Sequence, residues 1–422
     1  LIDDEVFENI AKIYEKEGSD CWFADDPQKF LGKKYKSEDF EKLSDIVEVW
    51  FDSGSTHSFV LEKRKDLKWP ASMYLEGSDQ HRGWFHSSLL EACGTRGRAP
   101  FESILSHGFV VDGKGLKMSK SLGNVIAPED ILKKYGADIL RIWVAASNYA
   151  EDLRIDYSIL DQHSESYRKI RNTFRYLLGN INDKFEDVNF DEIDIESLPE
   201  LEKFLLNKIY ILNQKFETCF HKYDFHNLYK ELLSFCTVDL SAFYFDIRKD
   251  TLYCDPINSE KRKSCVTVLN ILLKSLLRWF APILSFTTEE IYQLISKNSK
   301  SIHLEKFLKF PEKFKNDKLA EKWSQLMKIR DICNISIEEQ RASKEIGSSL
   351  EADLNIQLNQ KYKDIIESID LSELCIVSKA NVNFDNQLDI LVETKKASGN
   401  KCSVCWKIRK DPCERHPKCQ IT

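Results

Sequence analysis

The stretch MYLEGSDQHRGWFHSSLLEA, residues 73–92, decides the fold of the region around it. A short apolar run from Met73 to Leu75 is followed by a polar, glycine-containing loop, and Trp84, Ser88 and Glu91 then follow at helical spacing. This order predicts a strand, a loop and a helix. Open α/β sheets bind their ligands at such a place, where a strand ends and the chain turns into a helix.

The flanking sequence extends the pattern in both directions. Upstream, Val47, Val49 and Phe51 alternate with polar residues and predict another strand, whereas residues 1–45 predict short helical pieces and a loop. Downstream, the sequence predicts in order an extended segment from Ile104 to Val111, a hairpin turn at Asp112-Gly113, a Gly/Ser/Lys loop from Gly115 to Gly123 and a helix that begins near Pro128.

The pattern becomes helical from about residue 151 to residue 345. Apolar side chains recur on one helical face, for example Leu205, Ile209 and Leu212, and these stripes predict a bundle with an ordinary apolar core. Residues 287–290, Thr-Thr-Glu-Glu, form a capping box that predicts a helix from Glu289 to Ile295. After residue 346 the pattern changes to short mixed elements.

Composition excludes several classes of protein. The chain has 422 residues, 42% hydrophobic and 31% charged, with a mean hydropathy of -0.41, which is typical of soluble globular domains rather than disordered or membrane-spanning chains. The net charge is -7, so a bulk electrostatic attraction to nucleic acid is not expected. Leu1 is not an initiator Met and no signal peptide follows it, so a processed chain or a fragment is expected.

The last part of the chain differs from the rest in charge and in cysteine content. From Lys395 to Cys419 there are eight Lys/Arg and two acidic residues, which gives a basic tail on an acidic body. Eight of the 12 cysteines are scattered singly, whereas four crowd the last 21 residues. In a chain without a secretory signal, such a cluster indicates a metal site in a reducing cytosol, and the alternative is four free thiols in a disordered tail.

A glycine-flanked loop, Lys117-Met118-Ser119-Lys120-Ser121, offers two ammonium groups and two hydroxyls. Such a loop can close over a polyphosphate and neutralise charge that develops at phosphorus. The alternative is an exposed basic loop without a ligand.

Several longer sequence motifs decide between these alternatives. The loop resembles the KMSKS signature of the class I aminoacyl-tRNA synthetases, and residues 108–113, GFVVDG, fit the same family. Residues 49–55, VWFDSGS, and 75–85, LEGSDQHRGWF, resemble the isoleucyl branch of bacterial type. Further words at residues 137–141, 169–173 and 346–352 extend the resemblance along essentially the whole chain.

The resemblance implies roles for individual residues. Glu76 and Gly77 would contact the isoleucyl-adenylate, Asp79 the ribose hydroxyls and Gln80 the aminoacyl end. The other expected roles are the two walls of the isoleucine pocket (Trp50, Trp84), the side of the adenine (His107), the catalytic lysines (Lys120, Lys117) and the ATP-phosphate loop (Lys120, Ser119, Met118). The alternatives are that the tryptophans belong to the core and that Glu76 caps a helix.

The tail is expected to bind a single Zn²⁺. Cys402-x2-Cys405 can place two thiolates on a tetrahedral metal, and Cys413 with His416 completes a Cys3His set, with Cys419 as the alternative fourth ligand. Folding around the metal is expected to gather basic residues into a patch for tRNA phosphates: Lys401, Lys407, Arg409, Lys410, Arg415 and Lys418.

The resemblance implies a multidomain fold. An α/β part, the C-terminal half of a Rossmann-type class I catalytic domain, precedes an α-helical anticodon-binding bundle, a small mixed α+β segment and a zinc-knuckle tail. The expected bounds are a stub of the editing insertion at 1–45, the catalytic half at 46–150, the bundle at 151–345, a junction domain at 346–394 and the tail at 395–422.

The implied function is ATP-dependent activation of L-isoleucine and its transfer to tRNA-Ile, with Mg²⁺ accompanying ATP, by a cytoplasmic monomer without a membrane partner. The family's His-x-Gly-His word does not occur in the 422 residues. The chain is therefore expected to be a C-terminal part that is inactive by itself. The alternative function is that of a stand-alone tRNA-binding protein without ligase activity.

Overall fold

The computed structural model describes residues 1–181, 189–296, 300–411, 413 and 415. The chain divides into two compact units, Leu1–Phe109 and Val110–Thr422. The five-part division expected from the sequence stays a prediction. Within the described residues, no helix combines the length and the apolar character that crossing a membrane requires.

The first unit contains a small parallel sheet and helices. Strand β1 (Tyr74–Gly77), a 3₁₀ turn and helix α5 (Trp84–Arg96) follow one another, as the motif at residues 73–92 predicts. Strand β1 pairs in parallel with β2 (Ile104–His107). The elements are α1 (Asp4–Glu17), α2 (Cys21–Ala24), α3 (Pro27–Leu31), α4 (Val49–Gly54), a π-helical turn (His57–Leu61), β1 (Tyr74–Gly77), the 3₁₀ turn (Ser78–Arg82), α5 (Trp84–Arg96) and β2 (Ile104–His107).

The strand predicted around Val49 is wrong, because this segment forms helix α4. The Glu48 side chain accepts the N–H of Trp50 at 2.7 Å and so caps the helix. Val47 and Val49 are 57% and 65% exposed, so the alternating pattern buries no face.

The second unit begins with two short parallel strands and continues as a helical bundle. The helix predicted near Pro128 is confirmed, and one continuous apolar core extends from Ile131 in that helix to Val377. The elements are β3 (Val110–Asp112), α6 (Pro128–Tyr135), α7 (Ala137–Ala146), β4 (Leu153–Ile155), α8 (Tyr157–Ile181), α9 (Glu200–His221), α10 (Phe225–Ser234), a π-helical segment (Phe235–Tyr244), α11 (Phe245–Cys254), α12 (Glu260–Phe280), α13 (Ser285–Ile295) and α14 (Asp317–Ala342).

The capping box predicted at residues 287–290 is wrong in its start and in its partners. Helix α13 already begins at Ser285, and the Asp138 carboxylate on α7 accepts the N–H groups of Phe286 and Thr287. The Glu289 carboxylate accepts the N–H of Ile302 instead. A residue distant in sequence therefore caps this helix.

A small mixed domain and a hairpin follow the bundle. Strand β5 lies between β6 in parallel and β7 in antiparallel orientation, and β8 pairs with β9. The elements are β5 (Ala352–Leu358), α15 (Lys363–Ile366), α16 (Leu371–Leu374), β6 (Lys379–Phe384), β7 (Ile390–Lys396), β8 (Asn400–Lys401) and β9 (Ile408–Arg409).

Candidate functional sites

Polar side chains meet at the carboxyl end of the β1–β2 sheet. Glu76 and Gly77 end β1, and Gly77 lies opposite His107, the last residue of β2. A Cβ on Gly77 would lie 2.6 Å from Asp79 Oδ1, so only glycine allows the carboxylate this close to the strand. Glu76 and Asp79 are exposed and His107 is half-buried, so a polar ligand can reach this edge.

The His107 ring has a defined donor and acceptor. Its Nδ1 lies 2.8 Å from the carbonyl oxygen of Gly108. Because a carbonyl oxygen only accepts, Nδ1 carries the proton and Nε2 is left as the acceptor in the neutral ring.

Gln80 links the strand end to helix α5. Its Oε1 accepts the N–H of Trp84 at 3.0 Å, and its Nε2 donates to Asp79 Oδ2 at 3.2 Å. The amide of Gln80 therefore satisfies the first N–H of α5 and orients Asp79 at the same time. Glu76, in β1, does not perform the capping role considered above.

The two tryptophans lie where α4 packs on the start of α5. Trp84 Nε1 donates to the carbonyl oxygen of Ser53 at 2.9 Å, and Trp50 Cη2 lies 3.4 Å from where a Cβ on Gly83 would be. The Trp84 ring stacks on Tyr74 with ring centroids 4.2 Å apart, so one of its faces belongs to the core. Trp50 is 42% exposed and can contact a ligand.

The lysine loop in the second unit is held at both ends by hydrogen bonds. Asn124 donates from Nδ2 to Asp112 Oδ2 at 2.9 Å and to the carbonyl oxygen of Lys117 at 3.2 Å, and its Oδ1 accepts the N–H of Ser119 at 2.9 Å. The hydrogen bond from Asn124 and the N–H of Leu116 lower the pKa of Asp112. The turn predicted at Asp112-Gly113 is confirmed, and Val111 forms an antiparallel bridge with Lys117.

The loop exposes its charges and buries its apolar member. Lys117 and Lys120 are exposed, Ser119 is half-buried and Met118 packs against the core of the second unit. Ser119 Oγ accepts the N–H of Leu122 at 3.3 Å and so closes a 3₁₀ turn that begins at Lys120. The two ammonium groups can therefore meet a phosphate ligand without first breaking a core contact.

Sequence reasoning missed the bracing role of Asn124. The signal was available, because an Asn between a glycine-flanked loop and a helix is a residue type that bonds nearby backbone groups. The sequence indicates its partner Asp112 only as a turn residue.

Three thiols of the tail lie together. The Sγ atoms of Cys402, Cys405 and Cys413 are all within 4.8 Å of one another, and the three residues are buried. The knuckle forms because β8 pairs with β9 and the N–H of Cys402 donates to the carbonyl oxygen of Lys407 at 2.9 Å. His416 and Cys419, the alternative fourth ligands, lie outside the described residues, as does Lys418.

The surroundings of these thiols fit a metal cation. Burial and the neighbouring Cys402 and Cys413 raise the pKa of Cys405 to about 11, although the N–H of Lys407 opposes the rise. Thiolates crowded in this way repel one another, and a divalent cation removes the repulsion. The chemistry of the donor set, three cysteine sulfurs close together, suits zinc.

The basic patch expected on the tail is smaller than the sequence suggested. Lys407 is only 7% exposed, and Arg415 forms ion pairs with Asp250 and Asp255. Lys407 is therefore too buried, and Arg415 already too well paired, to offer its charge fully to a phosphate. Lys401, which lies over the Trp406 ring at 5.3 Å, is exposed.

Comparison with known proteins covers both units. Residues 1–156 match the family model of class I tRNA synthetases (I, L, M and V), and residues 202–358 match the anticodon-binding domain of tRNA ligase. The structural match to a leucyl-tRNA synthetase ternary complex from Agrobacterium radiobacter spans 58% of this chain and 29% of that chain, at 17% identity and a TM-score of 0.48.

Curated relatives match nearly the whole chain. An isoleucine–tRNA ligase of Pelagibacter ubique is 73% identical over 416 residues, which are 99% of this chain and 46% of that protein. The isoleucine–tRNA ligase of Caldicellulosiruptor saccharolyticus is 46% identical, over 96% of this chain and 45% of its own length. The chain spans about half the length of the curated relatives it matches. With two synthetase family models matched in order along it and this identity over almost its full length, the chain belongs to the class I aminoacyl-tRNA synthetase family, in which its matches are isoleucine–tRNA ligases.

Proposed function

We propose that this chain forms part of an isoleucine–tRNA ligase, which activates L-isoleucine with ATP and transfers it to tRNA-Ile. The single observation behind the proposal is the 73% identity to an isoleucine–tRNA ligase over 99% of the chain. The fold alone does not set the substrate, which depends on the residues of the pocket and of the loop named above.

The first unit would bind the amino acid and the adenylate. Trp50 and Trp84 offer an apolar wall for the isoleucine side chain, and Glu76 and Asp79 offer carboxylate oxygens at the strand end. A carboxylate can accept from both hydroxyls of a ribose, which suits Asp79 because Gln80 holds its other oxygen. His107 Nε2 would accept a hydrogen bond on the adenine side.

The loop of the second unit would serve the phosphoryl step. The isoleucine carboxylate attacks the α-phosphorus of MgATP in line, and magnesium pyrophosphate leaves. Lys120 and Lys117 would stabilise the negative charge that grows on the phosphate oxygens, and Met118 and Ser119 would set the loop against the core. The terminal ribose hydroxyl of tRNA then attacks the adenylate, so no protein nucleophile is required.

The helical part would bind tRNA. Residues 202–358 match an anticodon-binding domain, and the described tail has exposed cations next to an acidic body. We propose a cytoplasmic monomer whose zinc, bound by Cys402, Cys405, Cys413 and a fourth ligand, stabilises the tail. When bound, the metal would supply a cross-link between these side chains.

By itself, the chain is proposed not to form the adenylate. Its 422 residues lack the His-x-Gly-His word, so ATP would meet only the lysine side of its site. The two-stranded β1–β2 sheet leaves Leu75 and Ile104 53% and 38% exposed, whereas parallel sheets are normally covered on both faces. Further chain packed against this sheet would complete the fold.

The test is a chimaera in which this chain replaces the matching part of the Pelagibacter ubique ligase. We expect isoleucine-dependent pyrophosphate exchange and charging of tRNA-Ile by the chimaera, and neither activity from the 422 residues alone. A folded chimaera that binds tRNA but activates no amino acid would refute the ligase proposal. Exchange by the isolated chain would refute its dependence on a second part.

A further inference from the structure

Arg415 lies between two carboxylates at the end of helix α11. Its Nε donates to Asp255 Oδ1 at 2.5 Å, and its Nη1 donates to Asp250 Oδ2. The Asp255 side chain is 8% exposed and the Asp250 side chain 24%, so this group, called here the Arg415 clasp, is largely removed from water. A cation is also favoured at this place because it faces the negative end of the α11 dipole.

The clasp lies beside the thiol cluster. Cys254, the last residue of α11, packs against Cys402, Cys405 and Cys413, and its Sγ lies 3.7 Å from the carbonyl oxygen of Val404. Cys254 is in the chain between the two aspartates of the clasp. The same end of one helix therefore contacts the knuckle through Val404 and the second half of the tail through Arg415.

Chain connectivity makes these two contacts interdependent. Arg415 is two residues after Cys413, and two residues span at most about 7 Å. A metal that holds Cys413 therefore confines Arg415 close to its carboxylates. Conversely, an Arg415 held by Asp250 and Asp255 keeps Cys413 near the knuckle and lowers the entropy cost of bringing it to the metal.

We propose that Arg415 is a positioning residue that couples metal binding in the tail to docking of the tail on α11. The inference goes beyond the ligase function, because it concerns how the tail is attached to α11 and not how the tail binds tRNA. Binding linkage is reciprocal, so the metal should stabilise the end of α11 to the extent that the clasp stabilises the metal.

The experiment uses the zinc-loaded 422-residue chain. Zinc transfer to the chelator 4-(2-pyridylazo)resorcinol is timed for the wild type, for the double variant Asp250→Asn/Asp255→Asn and for Arg415→Gln, which leaves α11 unaltered. Asp246→Asn is the matched control, because Asp246 lies one turn earlier on α11 and forms an exposed ion pair with Lys249. We expect about tenfold faster zinc loss from both clasp variants, as for loss of an outer-shell partner, and little change in the control.

Hydrogen exchange measured by mass spectrometry tests the coupling itself. In the wild type, zinc removal should speed exchange in peptides covering the end of α11. In Arg415→Gln this effect of zinc should be clearly smaller, because of the two contacts described above only that between Cys254 and Val404 then remains. Wild-type rates of zinc loss in Arg415→Gln, equal acceleration in Asp246→Asn, or an α11 response to zinc that is as large in Arg415→Gln as in the wild type would each overturn the proposal.

Discussion

Asp138 on α7 accepts hydrogen bonds from the N–H groups of Phe286 and Thr287, which open helix α13 almost 150 residues further along the chain. It also accepts the Thr287 hydroxyl at 2.6 Å and is only 8% exposed. Arg141, one turn later on α7, donates to the carbonyl oxygens of Pro282 and Ile283. The motif at residues 137–141 thus fixes the start of α13. These hydrogen bonds give a physical reason why Asp138 and Arg141 occur together in it.

Asp138→Ala should lower the free energy of unfolding by roughly 2 kcal/mol, because it leaves the buried N–H of Thr287 and the half-buried N–H of Phe286 without an acceptor. Urea denaturation followed by circular dichroism measures the effect. Glu151→Ala, an exposed acid in a loop, is the control and should stay within about 0.5 kcal/mol of the wild type. An Asp138 variant as stable as that control would show that α13 is capped in another way.

A buried ion pair should be the most sensitive point of the bundle. Arg248 donates two hydrogen bonds to Glu202, at 2.6 and 2.5 Å, and the Glu202 side chain is fully buried. Glu202→Gln should destabilise the chain by about 3 kcal/mol or more, because the buried positive charge of Arg248 loses part of its compensation. Glu165→Gln breaks the exposed pair with Arg168 and should cost less than about 1 kcal/mol. Equal melting temperatures for the two variants would contradict this difference.

Local patterns predicted the elements whose partners are near in sequence. The turn from β1 into α5, the helix at Pro128 and the thiol knuckle depend on neighbouring residues, and they form as expected. Val47, Val49 and Phe51 have the alternation of a strand, yet the side chain of Glu48 caps a helix there. The period of the apolar residues shows which face of a segment could be buried. The element that packs against the segment decides which face is buried.

The misses in the second unit share a different cause, which is contact between residues distant in sequence. The cap of α13 comes from Asp138, and Arg415 finds its carboxylates on α11. The two residues of such a pair never lie in the same short motif. The sequence alone can therefore indicate basic residues in the tail, but not which of them form ion pairs within the chain. The roles of the adenylate-site residues stay predictions.

Stability should depend on pH through His163. Burial lowers the pKa of this imidazole below its ordinary value of 6.5, so below pH 6.5 the unfolded chain takes up a proton at this residue more readily than the folded chain does. The stabilisation is complete above pH 6.5 and is lost as the pH falls toward the lowered pKa. The unfolding free energy of the wild type should therefore fall between pH 7.5 and 5.5 more steeply than that of His163→Gln. Parallel curves for the two proteins would exclude this contribution.

Lys120 should affect catalysis more than binding. In the chimaera described above, Lys120→Ala should lower kcat for pyrophosphate exchange by roughly 100-fold while isoleucine binding changes little, because its charge is needed most in the transition state. Lys114→Ala is the matched control, since Lys114 is an exposed lysine in the preceding turn. A proportional loss of isoleucine affinity would instead place Lys120 in ground-state binding.

The tail should bind a single zinc ion per chain and should serve tRNA charging rather than amino-acid activation. Cysteine sulfurs bind the metal as thiolates that are held together, and the three buried cysteines already lie together, so Cys402→Ser should lose the zinc. Cys93→Ser, at an exposed cysteine of the first unit, should keep it. In the chimaera, Cys402→Ser should weaken aminoacylation and leave pyrophosphate exchange largely intact, since exchange does not require tRNA. Comparable loss of both activities would show that the tail supports the catalytic fold.

Zinc content also separates the two candidate fourth ligands. His416→Ala should release the metal and Cys419→Ala should not, and the reverse result would assign the site to four cysteines.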